Sequence, residues 1–255
     1  MGVRVTITTL ASQDATVVQP ARNQGGRLVV FAHGAGTTYA FSNDLGITWP
    51  TLRATSFLLA ERGYVVVTPA LLDTALGSQG HTWGNNASTT QLDSVVTAAK
   101  ALPGCGAAKY ALIGCSMGFF TVANHARRKS YAGIAGVLGL APACKINTHR
   151  GTDAAQAANY ATVNSAYGVT TDAGWNAIKA TYEPIDFGTN FTCTVGLWTN
   201  SNDTVAVPSE ADTLSATNAT WMTRVNLGVS AGVNGHDFDL VTSASVDTWL
   251  GGLAW

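Results

Sequence analysis

Charge is scarce in this chain. Of 255 residues only 11% are Asp, Glu, Lys or Arg, against about 25% in an ordinary soluble domain. The 14 basic and 15 acidic side chains nearly cancel, so the chain has no electrostatic hold on a phosphate backbone and no nucleic-acid partner is expected. Long apolar runs are missing too. No stretch approaches the roughly 20 residues that a helix needs to span hydrocarbon, so no membrane span is expected. The opening residues Val3-Arg4-Val5-Thr6-Ile7-Thr8 alternate like a strand and lack the apolar core of a secretory signal. Synthesis in a cytosol is expected, and final localisation stays open. Cysteine is sparse: Cys105, Cys115, Cys144 and Cys193 form no C-x-x-C pair. They read as reduced thiols, with Cys105 and Cys144 the one pairing left open. No G-x-G-x-x-G or phosphate loop occurs, and no histidines cluster, so neither cofactor nor metal is expected. No linker or repeat divides the chain, and residues 1–255 read as a single domain.

What is present is the pentapeptide Gly114-Cys115-Ser116-Met117-Gly118, which fits G-x-S-x-G. It follows the apolar run Tyr110-Ala111-Leu112-Ile113 and precedes the helix-compatible Phe119-Phe120-Thr121-Val122-Ala123-Asn124. Strand, sharp turn and helix in that order expose a serine hydroxyl above a sheet, and the glycines let the backbone turn without Cβ clashes.

A serine hydroxyl needs a base to take its proton and a carboxylate to orient that base. Downstream, Thr192-Cys193-Thr194-Val195-Gly196-Leu197-Trp198 reads as a buried strand running into Thr199-Asn200-Ser201-Asn202-Asp203. Asp203 therefore falls past the C-terminal end of a strand, where open α/β sheets place their sites. A further strand, Met222 to Leu227, leads to a Gly-rich loop carrying His236, 33 residues beyond Asp203. That interval suits one αβ unit. Asp186 and Asp212 are alternatives for the acid: the first precedes the strand, the second falls inside the following helix. Asp237 adjoins the histidine, and its side chain should point away from the ring. Of the other histidines, His125 lies on the helix after the serine and His149 in a later helical segment, both poor places for the base. Upstream, the strand Arg27 to Ala32 ends in His33-Gly34-Ala35-Gly36, an H-G-x-G loop whose N–H groups can face an oxyanion together with that of Met117.

On these residues the chain resembles the α/β-hydrolase superfamily over nearly its whole length. The resemblance implies an α/β fold with a mostly parallel eight-stranded sheet flanked by helices, and hydrolysis through an acyl-enzyme. It implies Ser116 as nucleophile, His236 as base and Asp203 as acid, with oxyanion donors at Met117 and Ala35 or Gly36. The short elbow and compact size resemble the dienelactone-hydrolase, cutinase and polyester-hydrolase side of the superfamily.

The remaining pattern fills in around this frame. Residues 3–9 and 15–19 read as an antiparallel hairpin, 50–62 as a helix with Pro50 in its first turn and Gly63 at its end, and 64–69 as a buried strand. A helix is expected from about Ser88 to Ala101, a strand from about Lys109 into the elbow, another at 133–140, and a closing helix at 238–251. Between Pro142 and Phe187 lie two helical stretches, near 153–166 and 172–182. A crossover between parallel strands needs only a dozen or so residues, so 142–187 reads as a small helical cap. The polar loop His81-Thr82-Trp83 and Gly36 are candidates for the cleft wall, with Trp83 stacking on a ring or sugar. Trp49, Trp175 and Trp198 are further candidates.

Two functions follow. The first is a serine esterase acting on an acylated polysaccharide, a lipid, a polyester or a small ester, with amides and thioesters open to the same machinery. The second is a structural or glycan-binding component of a virion or cell surface. That reading rests on the low charge and the Thr, Asn and Gly richness, and the two merge in a bacteriophage tail or lysis esterase.

Overall fold

The computed structural model describes residues 2–22, 25–34, 50–71, 83–151 and 157–255. The alternating N-terminus folds into an antiparallel pair, β1 (Val3–Leu10) and β2 (Gln13–Pro20). Their two-residue turn, Ala11-Ser12, is left-handed at both positions, with φ of 49° and 66°, the twist that matches hairpin strands. Six further strands complete the sheet: β3 (Gly26–Ala32), β4 (Val65–Pro69), β5 (Cys105–Cys115), β6 (Ile134–Leu140), β7 (Thr194–Asn200) and β8 (Met222–Gly228). Among the described residues they form one eight-stranded sheet in the order β1-β2-β4-β3-β5-β6-β7-β8. From β4 to β8 every neighbouring pair is parallel, while β2 joins β4 antiparallel.

Buried parallel strands must be apolar on both faces, and β3 shows how the two faces divide. Leu28, Val30 and Ala32 join one apolar cluster, with Leu92 and Val95 of α2 (Asn86–Lys100), Phe119 and Val122 of α3 (Gly118–Arg128) and, further along the chain, Leu214. Val29 and Phe31 join the other, with Leu52 and Leu59 of α1 (Pro50–Glu61) and with Val246 and Leu250 near the C-terminus. Each fully buried leucine of this kind stabilises the fold by about 1.5–3 kcal/mol, and a Leu112→Ala cavity in the middle of β5 would cost about 2–5 kcal/mol.

Among the described residues, four α-helices lie between β6 and β7: α4 (Ile146–Arg150), α5 (Ala157–Tyr167), α6 (Asp172–Tyr182) and α7 (Pro184–Phe187). Two of them match the helical stretches of the sequence, while α4 and α7 are too short for a 3.6-residue pattern to reveal. Arg150, buried, holds the group together. Its Nε donates to Asn164 Oδ1 (2.8 Å), Nη1 pairs with Asp172 (2.8 Å), and the guanidinium lies 4.2 Å from the Tyr160 ring centre. Beneath them a third cluster packs Ile146, Val163 and Trp175 against Met117 and Phe120 of the elbow. The chain closes through α8 (Pro208–Thr217), β8 and α9 (Ser243–Gly251).

Two expected boundaries move. Strand β5 starts at Cys105, four residues before the expected Lys109, because a register shift lets Gly26 pair with Cys105 before Leu28 pairs with Tyr110. The last helix starts at Ser243, five residues after the expected 238. Thr242 caps it in a reciprocal box with Ser245, and the apolar residues before it, Phe238 and Val241, are buried from a loop. All four cysteines are free, so Cys105 and Cys144 form no bridge.

Candidate active site

The turn after β5 follows from what its glycines avoid. A Cβ on Gly114 would stand 2.6 Å from the Cα of Phe119, and one on Gly118 would strike the carbonyl oxygens of Ala32 and His33. Only hydrogen fits at either position, so the chain passes close under β3 and enters α3 at once. Ser116 between them has φ of 52°, a left-handed conformation that costs a non-glycine residue about 1–3 kcal/mol. Its N–H donates to Leu140 O (2.9 Å) and its carbonyl accepts from Phe119 N (3.0 Å) and Ala143 N (3.3 Å). Among the described residues, the turn's hydrogen bonds thus use the N–H groups of Ser116, Phe119 and Phe120 and leave that of Met117 unspent.

Asp203 sits three residues beyond β7 in a tight turn. Its Oδ1 accepts from the N–H groups of Val205 and Ala206, each at 2.8 Å. That leaves Oδ2 facing His236 Nδ1 at 2.8 Å, and the far ring nitrogen, Nε2, lies 2.9 Å from Ser116 Oγ. The carboxylate is fully buried, and the imidazole retains 17% exposure. The structure therefore brings together Ser116, His236 and Asp203 from three separate loops, in a continuous hydrogen-bonded chain. Asp186 lies on α7 and Asp212 on α8, and neither takes part.

His33 closes β3 with its Nδ1 2.9 Å from the Gly34 carbonyl and its Nε2 against the Ala70 carbonyl, tying the ends of β3 and β4. Ala35, Gly36, Trp49 and His81 lie outside the described residues. Trp83 is buried. Its indole N–H donates to Thr162 Oγ1 (3.2 Å) and its ring lies 6.1 Å from that of Phe120. It packs α3 against the inserted helices rather than presenting a free face. Trp175 and Trp198 are also buried, the first among the inserted helices and the second against the sheet.

His149 lies near His236 and Asp203, a proximity its sequence context does not reveal. From α4 its ring packs tilted against Trp83 (5.9 Å) and edge-on to Phe120 (6.1 Å), and among the described residues its Nε2 is buried with no hydrogen-bond partner. Burial lowers its pKa to about 4, with the neighbouring His236 pushing the same way and Asp203 opposing. It stays neutral beside the site across the physiological range. A lone histidine in a five-residue helix carries no sequence signal of this proximity. Two carboxylates seat that helix. Glu183 Oε1 accepts from Asn147 N (2.7 Å), and Glu210 Oε2 accepts from Lys145 N (3.0 Å) and Cys144 N (3.3 Å). Burial raises Glu183 to about 7 and Glu210 above the ordinary carboxyl range. Among the described residues no group of acidic, histidine and cysteine side chains is arranged to hold a metal, and no helix is long and apolar enough to cross a membrane.

No protein-family model matches the chain, and no curated protein sequence matches it. Solved structures do, at low identity. The chain is similar to Est1E from Butyrivibrio proteoclasticus (16% identity, 98% of each chain, TM-score 0.66). It is similar to a tributyrin-phosphonate-inhibited esterase B from Lactobacillus rhamnosis (14% identity, 98% of this chain and 85% of that one, TM-score 0.72). It is similar to the thioesterase domain from the curacin biosynthetic pathway (12% identity, 98% and 99%, TM-score 0.59). Sheet order, flanking helices and these neighbours define the α/β-hydrolase fold.

Proposed function

We propose that the protein is a serine hydrolase of carboxylic esters that works through an acyl-enzyme. The observation that carries this is the hydrogen-bonded chain from Asp203 through His236 to Ser116 Oγ, at 2.8 and 2.9 Å. His236 Nε2 takes the hydroxyl proton as Ser116 Oγ attacks the ester carbonyl. Asp203, held by two backbone N–H groups, fixes the ring and stabilises the imidazolium that forms. The unspent N–H of Met117 is placed for the tetrahedral oxyanion, with Ala35 assigned as the second donor from the H-G-x-G sequence. Each such donor lowers the barrier by about 3 kcal/mol. Protonated His236 then returns its proton to the leaving alcohol, and water deacylates Ser116 by the same route.

Residues 1–255 form one domain on this reading, and 142–187 serve as its cap. In support, the inserted helices are tied to the segment after β4 by Trp83 to Thr162, Asn85 to Ala166 (2.8 Å) and Asn86 to Tyr182 (2.9 Å). These bonds support a cap over the C-terminal ends of the strands on this reading. No observation favours the reading as an inert structural or glycan-binding protein.

The test is hydrolysis of p-nitrophenyl esters from acetyl to palmitoyl, by the protein and by Ser116→Ala. Turnover that disappears in the variant supports the proposal, and its dependence on acyl length sizes the pocket under the cap. Folded wild-type protein inert toward the whole series and toward an acetylated polysaccharide would overturn it.

A further inference from the structure

We propose that Asn200 is a positioning residue for His236, acting through the backbone on both sides of the histidine. This rests on the ester-hydrolase reading and deepens it. Asn200 is the last residue of β7 and is 1% exposed. Its Nδ2 donates twice, to the carbonyl of Gly235 and to the carbonyl of Asp237, both at 2.8 Å. Those two residues flank His236, so one amide group brackets the base. The Asn200 backbone carbonyl in turn accepts from Asp203 N (3.3 Å). A single residue, rooted in a buried parallel strand, thus fixes the start of the acid's turn with its main chain and the base's loop with its side chain.

The loop needs such a fixture. It reaches His236 through Asn234 and Gly235, both left-handed, with φ of 59° and 68°, and a Cβ on Gly235 would strike the carbonyl of Asn202. His236 itself has backbone φ and ψ of −91° and 82°, outside the regular wells. Other bonds lace the two loops further out: Ser201 N to Gly228 O (2.7 Å), Thr204 N to Asn234 O (2.9 Å), and an exchange between the Asn202 side chain and the backbone of Ser230 (3.0 and 2.9 Å). Of these contacts, those of Asn200 alone fall on the two residues next to the histidine. Its amide oxygen, moreover, is buried without a partner among the described residues. Leaving a buried acceptor unpaired is costly, and the two donated bonds are what the residue gains in exchange. The arrangement makes sense if the double donation is what the position is for.

The imidazole must stay in line with two atoms on different loops, Asp203 Oδ2 and Ser116 Oγ. A displacement of about 1 Å in such a constellation costs up to about 100-fold in rate, while substrate contacts elsewhere are untouched. Asn200→Ala removes both donors. Asn200→Asp keeps the size and turns carboxylate oxygens toward two carbonyls, so it should be worse.

The experiment compares wild type, Asn200→Ala and Asn200→Asp by kcat and KM on the best p-nitrophenyl ester, by thermal melting, and by the low-field proton resonance of the His236–Asp203 hydrogen bond. Expected for Asn200→Ala is a fall of about 10- to 100-fold in kcat with KM within about twofold. The low-field resonance should broaden or disappear in protein that still melts cooperatively, and the loss should be greater in Asn200→Asp. An unchanged kcat and resonance, whatever the melting temperature, would reduce Asn200 to a structural role and overturn the proposal. So would failure of both variants to fold. If wild type hydrolyses no ester, the functional reading fails by itself, and the resonance, which needs no substrate, still decides whether Asn200 sets the histidine.

Discussion

A side chain on Gly118 would place its Cβ 2.6 Å from the carbonyl oxygen of His33. The elbow helix thus starts in van der Waals contact with the end of β3, and the segment that carries Ser116 is held against His33, just beyond β3. Gly118→Ala must push the two apart. Overpacking of this kind costs about 1–3 kcal/mol, which denaturant unfolding measures. Ester turnover should fall much further than stability, because the Met117 N–H moves with the helix.

Members of a hydrogen-bonded chain fail as a unit. Ser116→Ala and His236→Ala should each reduce kcat by on the order of 10⁴–10⁶-fold, and the double variant should be little worse than either. Asp203→Asn keeps the shape but presents the wrong hydrogen-bonding group to Nδ1, with an expected loss of about 10⁴-fold. Additive losses in the double variant would mean that the two side chains act separately. A fully active Asp203→Asn would move the role of acid elsewhere.

Glu183 makes stability depend on pH in a direction opposite to most carboxylates. Burial, with Asp186 adding to it and Lys145 and Lys179 opposing, raises it from 4.5 to about 7. Between those values the folded protein holds a proton that the unfolded chain has released. The unfolding free energy therefore declines as pH rises from about 4.5 to about 7 and is level with respect to this group above that. Glu183→Gln keeps an acceptor for Asn147 N and removes the titration. The difference in urea midpoint between variant and wild type should shift toward the variant as pH goes from 5 to about 8. A constant difference would refute the assignment.

His149 has the reverse sign. Its folded pKa lies at about 4, below the ordinary 6.5, so its contribution is intact above 6.5 and is lost as pH falls toward 4. His149→Phe should gain stability relative to wild type on acidification. At pH 8 it should be close to neutral, because an aromatic ring of similar shape replaces a buried, unpaired nitrogen. The pH dependence of ester turnover above about 5 should be unchanged, since His149 does not titrate there. A shifted turnover profile would mean that the imidazole takes part in proton transfer.

Much of this was written in local pattern. Strand and helix types followed from apolar runs and from punctuation such as Pro50 and Gly63, and the G-C-S-M-G turn between a strand and a helix singled out Ser116. The order Ser116, Asp203, His236 came from strand ends, because each lies just past a recognisable β-segment. What stayed hidden depends on contacts distant in sequence. The extension of β5 back to Cys105 is set by pairing with Gly26, not by its own residues. The start of α9 is set by the Thr242–Ser245 box, which the apolar Phe238, Leu240 and Val241 obscured. His149 and Asn200 looked ordinary because nothing local marks a short helix that folds over a site, or an amide that reaches across two loops 35 residues apart.

The cysteines carry a practical consequence. All four are free, and Cys115, Cys144 and Cys193 are buried. Burial raises the thiol pKa values of all three, that of Cys193 to about 12. Thiols held in the protonated form are poor nucleophiles, even Cys115, which adjoins Ser116. A phosphonate or sulfonyl-fluoride reagent should consequently mark Ser116 rather than Cys115, Cys144 or Cys193. Preparations handled with or without reductant should carry the same number of titratable active centres.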